Sequence, residues 1–276
     1  MLATRVLSAV VMAAVFVVAD LALPAAAWAL FVLLLITMSA WEWSTLAQLD
    51  TRGKALAALA VAAACVAGGK WTGLSEGTLA ASRSVPFYAV GAVFWAAVVP
   101  AWLRSGGANV PRSVIVAMAF PVLVPAYLAL LELRAFGPAV LLLVMAIVWI
   151  ADTMAYFSGR LFGRTKLAPK ISPGKTWEGI WGALGSLALY GAVLAAFVSP
   201  RIRLDVAAGV LVIGTMALGA VSVLGDLFES SLKRRAGVKD SGHLIPGHGG
   251  ILDRLDAQLA MLPFALIGLQ HAWSRA

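Results

Sequence analysis

Residues 136–159, FGPAVLLLVMAIVWIADTMAYFSG, hold one charged side chain, Asp152, in an otherwise apolar or small-residue run. A helix needs about 20 predominantly apolar residues to cross the hydrocarbon core of a bilayer, and this run meets that length. Working outward in both directions, apolar runs recur at 6–19, 21–41, 55–68, 85–103, 114–133, 178–199, 206–228 and 255–273, the third of the chain's runs (55–68) short and alanine-rich. Lipid offers the backbone no hydrogen-bond partner, so each run is expected as a helix. The expected architecture is an all-α, polytopic transmembrane bundle of about nine spans. It forms a single membrane-embedded domain over 1–276, with spans in 1–135 structural and lipid-facing and the active site in 136–276.

Composition excludes the soluble classes. Hydrophobic residues make up 62% of the 276 and charged residues 12%, with mean hydropathy +0.92, where a soluble domain carries roughly a quarter charged residues. Cys65 stands alone, so neither an intramolecular disulfide nor a thiolate metal cluster can form. The net charge of +8 does not point to nucleic acid, because the cations cluster in the loops, where topology and anionic ligands or lipids account for them. Arg5 and the small residues Ala25 to Ala27 mimic a signal peptide, but a longer apolar run follows at once, so the stretch reads as a first span.

With the N-terminus in the cytoplasm, the external cations are Lys70, Arg83, Arg134, Arg201, Arg203 and Arg275, and the other 15 of the 21 Lys and Arg lie inside. That asymmetry sets the expected orientation. The loops 160–177 and 229–254 then share the cytoplasmic face, where a soluble nucleotide is at hand.

The second of these loops carries the densest chemistry. Residues 225–256, GDLFESSLKRRAGVKDSGHLIPGHGGILDRLD, interleave Asp226, Glu229, Asp240, Asp253 and Asp256 with Lys233, Arg234, Arg235, Lys239 and Arg254. Magnesium is held by one or two carboxylates plus substrate phosphates, and lysine and arginine neutralise those phosphates. Asp226 and Asp253 stand out because each lies where a span meets the loop, and ligands on helix ends hold geometry best. Asp256 shares a helical face with Asp253; helix capping is the competing account of it. The turn Pro246 to Gly250, with Gly249 and Gly250, allows backbone N–H groups to approach a phosphate. His248 in that turn is a candidate phosphate ligand or proton donor, or a structural residue.

Residues 171–179, ISPGKTWEG, contain GKT. A nucleotide-binding P-loop is excluded, because Pro169 occupies the position of its first glycine; no strand is expected before it either. What survives is an anion cradle of Ser172, Lys175 and Thr176 at a helix N-terminus, or simply a basic loop with a capped helix start. Asp152, inside a span, is a functional candidate by default, with structural pairing to a cation as the alternative.

These residues resemble a known family. Residues 230–256 match the phosphatidate cytidylyltransferase (CDP-diacylglycerol synthase) signature, S-x-L-K-R, four residues, then K-D-S-G-x-x-I-P-G-H-G-G-I-x-D-R-L-D. SPGKTWEG and the Asp152 segment are similar to the family's pattern too, although Gly174 stands near where a lysine is common. The resemblance implies cytidylyl transfer from CTP to phosphatidic acid, giving CDP-diacylglycerol and pyrophosphate. It implies Asp226 and Asp253 as ligands of Mg²⁺ and a second cation, K⁺, with Lys233 and Lys239 catalytic. Asp152, Ser172, Lys175, Thr176, Arg234, Asp240, His248, Gly249, Gly250, Arg254 and Asp256 are the expected substrate-binding residues. CTP, phosphatidic acid and membrane lipids are the expected partners, and a homodimer in the bacterial inner membrane the expected assembly. The rival readings are a CTP-dependent kinase of a lipid alcohol and an anion transporter; the latter would show paired broken helices in two halves, and no such symmetry is present.

Overall fold

A computed structural model describes residues 2–76, 81–107, 110–199, 201, 206–244 and 249–273. The long helices are α1 (Leu2–Ala22), α2 (Ala25–Leu46), α3 (Thr51–Thr72), α4 (Ala81–Val93), α5 (Val99–Ser105), α6 (Arg112–Phe136), α7 (Pro138–Phe162), α8 (Trp177–Val193), α9 (Ala208–Ala236) and α10 (Leu252–Trp273). A π-turn over Phe94–Val98 joins α4 to α5 in one rod, and another over Leu194–Val198 extends α8. Each expected run overlaps these helices, although the run 21–41 is broken at Leu23 and Pro24 and the run 136–159 at Gly137. Among the described residues seven helices are long and apolar enough to cross a membrane; α1 and α10 fall short of that measure. The shortfall in α10 has a local cause, since Asp253, Arg254, Asp256, Gln258 and Gln270 interrupt its apolar surface.

The fold departs from pure helix at one place. Strands β1 (Lys166–Ala168) and β2 (Ser172–Thr176) pair antiparallel, with Lys166 opposite Thr176. Pro169 lacks an N–H and disfavours helix in the residue before it, so the polar linker turns back on itself.

Helix ends follow local chemistry. Asp50 caps α3 by accepting from Gly53 N at 2.9 Å, and α3, α5 and α9 stop at Gly73, Gly106 and Gly237, each with a positive φ that L side chains avoid. Between helices, small residues allow close approach where lipid supplies no hydrophobic drive. A Cβ on Gly225 of α9 would lie 2.3 Å from the Asp256 carbonyl of α10, and one on Gly182 of α8 would lie 1.9 Å from Ser158 Oγ of α7. The helices α7, α8, α9 and α10 are thereby packed in sequence, while α6 is the buried centre of the bundle, contacting α2, α3, α4, α7 and α10.

Long-range polar contacts sort the helix ends onto two faces. On one, Arg134 donates to the Asp20 carbonyl at 2.8 Å, and Glu132 accepts from Tyr88 at 2.6 Å and from Gln270 at 2.5 Å. On the other, Trp102 Nε1 donates to Ser231 Oγ at 3.0 Å and Arg235 to the Val110 carbonyl at 2.5 Å. The hairpin, the end of α9 and the start of α10 share this second face, as the alternation of spans requires.

Candidate active site

Helix α9 is longer than its apolar run. It continues unbroken through Ala236, so Asp226 lies well inside the helix rather than at its end, a correction to the expected boundary. The physical reason is the last turn: Lys233, Arg234 and Arg235 complement the negative end of the helix dipole, and a charged segment emerging from lipid can stay helical. The consequence is geometric. Asp226, Glu229, Ser230 and Lys233 follow at i, i+3, i+4 and i+7 and so share one face.

That face is pinned from three sides. Lys175 Nζ of the hairpin meets Asp226 Oδ2 at 2.6 Å, and Ser230 Oγ donates to Asp226 Oδ1 at 3.2 Å. Lys233 Nζ bridges Glu229 Oε2 at 2.8 Å and Asp253 Oδ1, on the first turn of α10, at 2.7 Å. Arg234 Nε donates to the Ile171 carbonyl at 3.2 Å, which fastens the tip of the hairpin to α9. Asp226 and Asp253, singled out as a pair from sequence, are each held by a lysine, Asp226 by Lys175 and Asp253 by Lys233, and Lys233 shares the α9 face of Asp226. Asp256 lies against Glu229, and Lys175, Asp226 and Arg254 are the charged groups around Asp152.

Asp253 also gathers the loop before it. Its Oδ2 accepts from Ser241 N at 2.9 Å and Gly250 N at 2.8 Å. Gly249, at φ +83°, passes so close that a Cβ there would lie 2.6 Å from Asp253 Oδ2. Lys239, Asp240, Arg234 and Arg254 are exposed around this buried centre. His248 and the rest of 245–248 lie outside the described residues. Thr176 is buried and engaged as the cap of α8, accepting from Gly179 N at 3.2 Å, while Ser172 sits in β2 opposite Ala168.

The floor of the site is aromatic. Phe228, on the opposite side of α9 from the carboxylates, is ringed by Trp43, Phe94, Trp95 and Trp102 at centroid distances of 5.6 to 5.9 Å. Each such pair adds about 0.5–1.5 kcal/mol beyond simple burial, so the cluster holds α9 in rotation and depth.

The donor set is one of hard oxygens. No group of three His, Cys, Asp or Glu arranged to hold a metal occurs among the described residues, which argues against a cage made by protein alone. It suits a cation shared with substrate phosphates, since Asp226 is half exposed and Asp253 Oδ1 has lone-pair capacity beyond Lys233. Glu229 is buried beside them, against the carboxyl of Asp256.

A family model described as the cytidylyltransferase family matches residues 3–271. The chain belongs to this family. Among curated relatives, the phosphatidate cytidylyltransferase of Pseudomonas aeruginosa is 34% identical over 285 residues, covering 99% of both chains. The enzyme of that name from Haemophilus influenzae is 46% identical over 154 residues, 53% of this chain and 54% of its own length. That from Thermotoga maritima is 41% identical over 135 residues, 49% of this chain and 50% of its own. The two higher identities thus belong to matches over about half of each protein.

Sequence reasoning passed over two members of the site. Glu229 was in the charged loop, and its spacing from Asp226 and Lys233 becomes a signal once α9 is known to be helical there. Glu42, in the AWEW stretch at the end of α2, had no such pattern. It is 2% exposed and accepts from Ser241 Oγ at 3.0 Å, Ile251 N at 3.1 Å and Leu252 N at 2.8 Å.

Proposed function

We propose that this protein transfers the cytidylyl group of CTP to phosphatidic acid, forming CDP-diacylglycerol and pyrophosphate for phospholipid synthesis. The observation that carries this reading is the convergence of hairpin, α9 and α10 through the Lys175–Asp226 and Lys233–Asp253 pairs. Cations for phosphates and carboxylates for a metal are thus interleaved at one end of an apolar bundle.

The reaction asks for charge neutralisation more than for proton transfer. A phosphate-monoester oxygen of phosphatidic acid attacks the α-phosphorus of CTP. A new P–O bond forms, the bond from the α-phosphorus to the α–β bridging oxygen breaks, and pyrophosphate leaves with that oxygen. The nucleophile is already anionic near neutral pH, so no strong base is needed; the obstacle is repulsion between two anions. Lys175, Arg234, Lys239 and Arg254, with His248, offset that repulsion and orient the triphosphate. Lys233 fixes Asp253 against α9, and Gly249 and Gly250 let the loop backbone approach the nucleotide. Asp152 lies among Lys175, Asp226 and Arg254, Asp256 against Glu229 and Asp240 beside Gly249, each a candidate contact for substrate.

Mg²⁺ is the cation that Asp226 and Asp253 would hold together with nucleotide phosphates, with K⁺ as a second ion. When bound, it supplies positive charge to the triphosphate and to the leaving pyrophosphate. The bundle crosses the bacterial inner membrane nine times, with the N-terminus and the site on the cytoplasmic side, as the loop cations support. It works as a homodimer.

The test uses detergent-purified protein with phosphatidic acid, Mg²⁺ and CTP labelled at either the α- or the γ-phosphorus. The expected result is α-label in the lipid and γ-label in pyrophosphate. Label from the γ-position in the lipid would overturn cytidylyl transfer in favour of a lipid kinase.

A further inference from the structure

Glu42 is separated from the signature loop by about two hundred residues, yet it is buried at that loop's neck. Its Oε2 accepts from Ser241 Oγ, where the loop begins, and from Leu252 N, where it ends; its Oε1 accepts from Ile251 N. Two of these donors are backbone N–H groups at the start of α10, which have no partner within the helix and carry its positive dipole end. An ionised carboxylate is the acceptor that suits all three donors at once. The loop backbone is shaped around it. A Cβ on Gly250 would lie 2.3 Å from Glu42 Oε2, and one on Gly242 would lie 2.5 Å from Oε1. Two glycines of the loop are therefore required by a side chain from the second helix.

Ser241 links Glu42 to the reaction centre. Its hydroxyl goes to Glu42 and its backbone N–H goes to Asp253 Oδ2, which also takes Gly250 N. Two carboxylates thus clamp the same neck, one from each side. While the neck is closed, Asp253 Oδ2 is held by two N–H groups and Oδ1 is turned towards Lys233 on α9. Loss of the outer clamp frees Ser241 and the first turn of α10, and with them the rotation of Asp253.

We propose that Glu42 is a positioning residue for the transfer reaction: it closes the neck of the glycine-rich loop and thereby orients Asp253 towards substrate and metal. This rests on the reading of Asp253 as a site carboxylate. Glu42→Gln keeps one oxygen for Ser241 and Leu252 but sets an NH₂ against the Ile251 N–H, so the neck loosens without losing the side chain's volume.

The experiment compares wild type, Glu42→Gln, Ser241→Ala and Asp253→Ala as purified, folded protein. Measured are kcat, KM for CTP, the Mg²⁺ concentration for half activity, and amide hydrogen exchange of residues 241–254 without metal or nucleotide. The expected result for Glu42→Gln is kcat lowered at least tenfold, half-activating Mg²⁺ raised at least fivefold, and faster exchange confined to 241–254. Ser241→Ala, which removes only the bridging hydroxyl, shifts kcat and Mg²⁺ response in the same direction by about threefold, and it decides the matter if Glu42→Gln fails to fold. Wild-type kcat and Mg²⁺ response per folded molecule in Glu42→Gln, or in Ser241→Ala where the former cannot be made, overturn the proposal and leave Glu42 a stability residue. Asp253→Ala separates the two claims: activity retained there refutes the role of Asp253 itself, whereas an inactive Asp253→Ala beside a normal Glu42→Gln refutes only the positioning role.

Discussion

Replacing Lys233 by methionine keeps most of the side chain's volume and removes the one charge that two buried carboxylates share. The side chains of Glu229 and Asp253 are each 3% exposed and that of Lys233 is 13% exposed, so solvent screens these pairs little. Removing one partner of a buried pair costs about 3–5 kcal/mol, because the remaining charge is stranded. The loss is unequal. Asp253 retains two backbone N–H donors, whereas Glu229 loses its cation and is left facing the carboxyl of Asp256. Most of the cost therefore falls on Glu229, and the expected total stays near the range for one pair. At about 2–4 °C per kcal/mol for a chain of this size, the unfolding midpoint drops by on the order of 10 °C. Thermal unfolding in detergent, followed by the fluorescence of the buried Trp43, Trp95 and Trp102 around Phe228, reads this directly. Adding Glu229→Gln to the Lys233→Met protein should recover at least half of the loss, since it replaces the carboxyl left facing Asp256 by a neutral amide that can donate to it. A Lys233→Met protein that melts within about 2 °C of wild type, with no recovery in the double variant, would refute the claim that these charges depend on one another.

Three further outcomes follow from the same geometry. Asp226→Ala, at a half-exposed carboxylate, leaves the midpoint nearly unchanged and abolishes CTP-dependent lipid product; wild-type turnover in a product assay contradicts the proposed role of Asp226. Lys175→Gln removes the cation that the hairpin brings to Asp226, and with a charge-assisted contact worth about 1.5–3 kcal/mol the KM for CTP rises roughly tenfold or more, measured by steady-state kinetics. Gly250→Ala drives a Cβ into Glu42 and Ser241 and inactivates the protein, while Gly174→Ala, whose Cβ meets nothing within 4 Å, leaves activity as it was; equal activities for the two would contradict the close packing at the loop neck.

Much of the site was legible because its chemistry is dense in one segment. Asp226, Lys233, Asp253 and the two glycines lie within 225–256, and glycine, carboxylate and lysine at close spacing single out a candidate phosphate site without any knowledge of neighbours. Helix α9, which carries Asp226 and Lys233, was read too short, because hydropathy marks where lipid ends and not where hydrogen bonding ends. The β1–β2 hairpin was read as a turn and a helix start, since strands this short have no alternation to detect. Thr176 shows how one residue type supports two readings: a hydroxyl before a helix suits a phosphate or a cap, and here Gly179 N takes it.

By itself the sequence determined that this chain lives in lipid, where its helices run and which loops gather charge, because hydropathy, backbone freedom and charge are properties of the residues and their immediate neighbours. Only the tertiary structure decided that Lys175 reaches Asp226, that Lys233 joins α9 to α10, and that Glu42 closes the loop two hundred residues away. Those contacts depend on the rotation and depth at which separate helices pack, which close small-residue approaches such as Gly225 against Asp256 and the aromatic nest around Phe228 establish, and no local pattern encodes them.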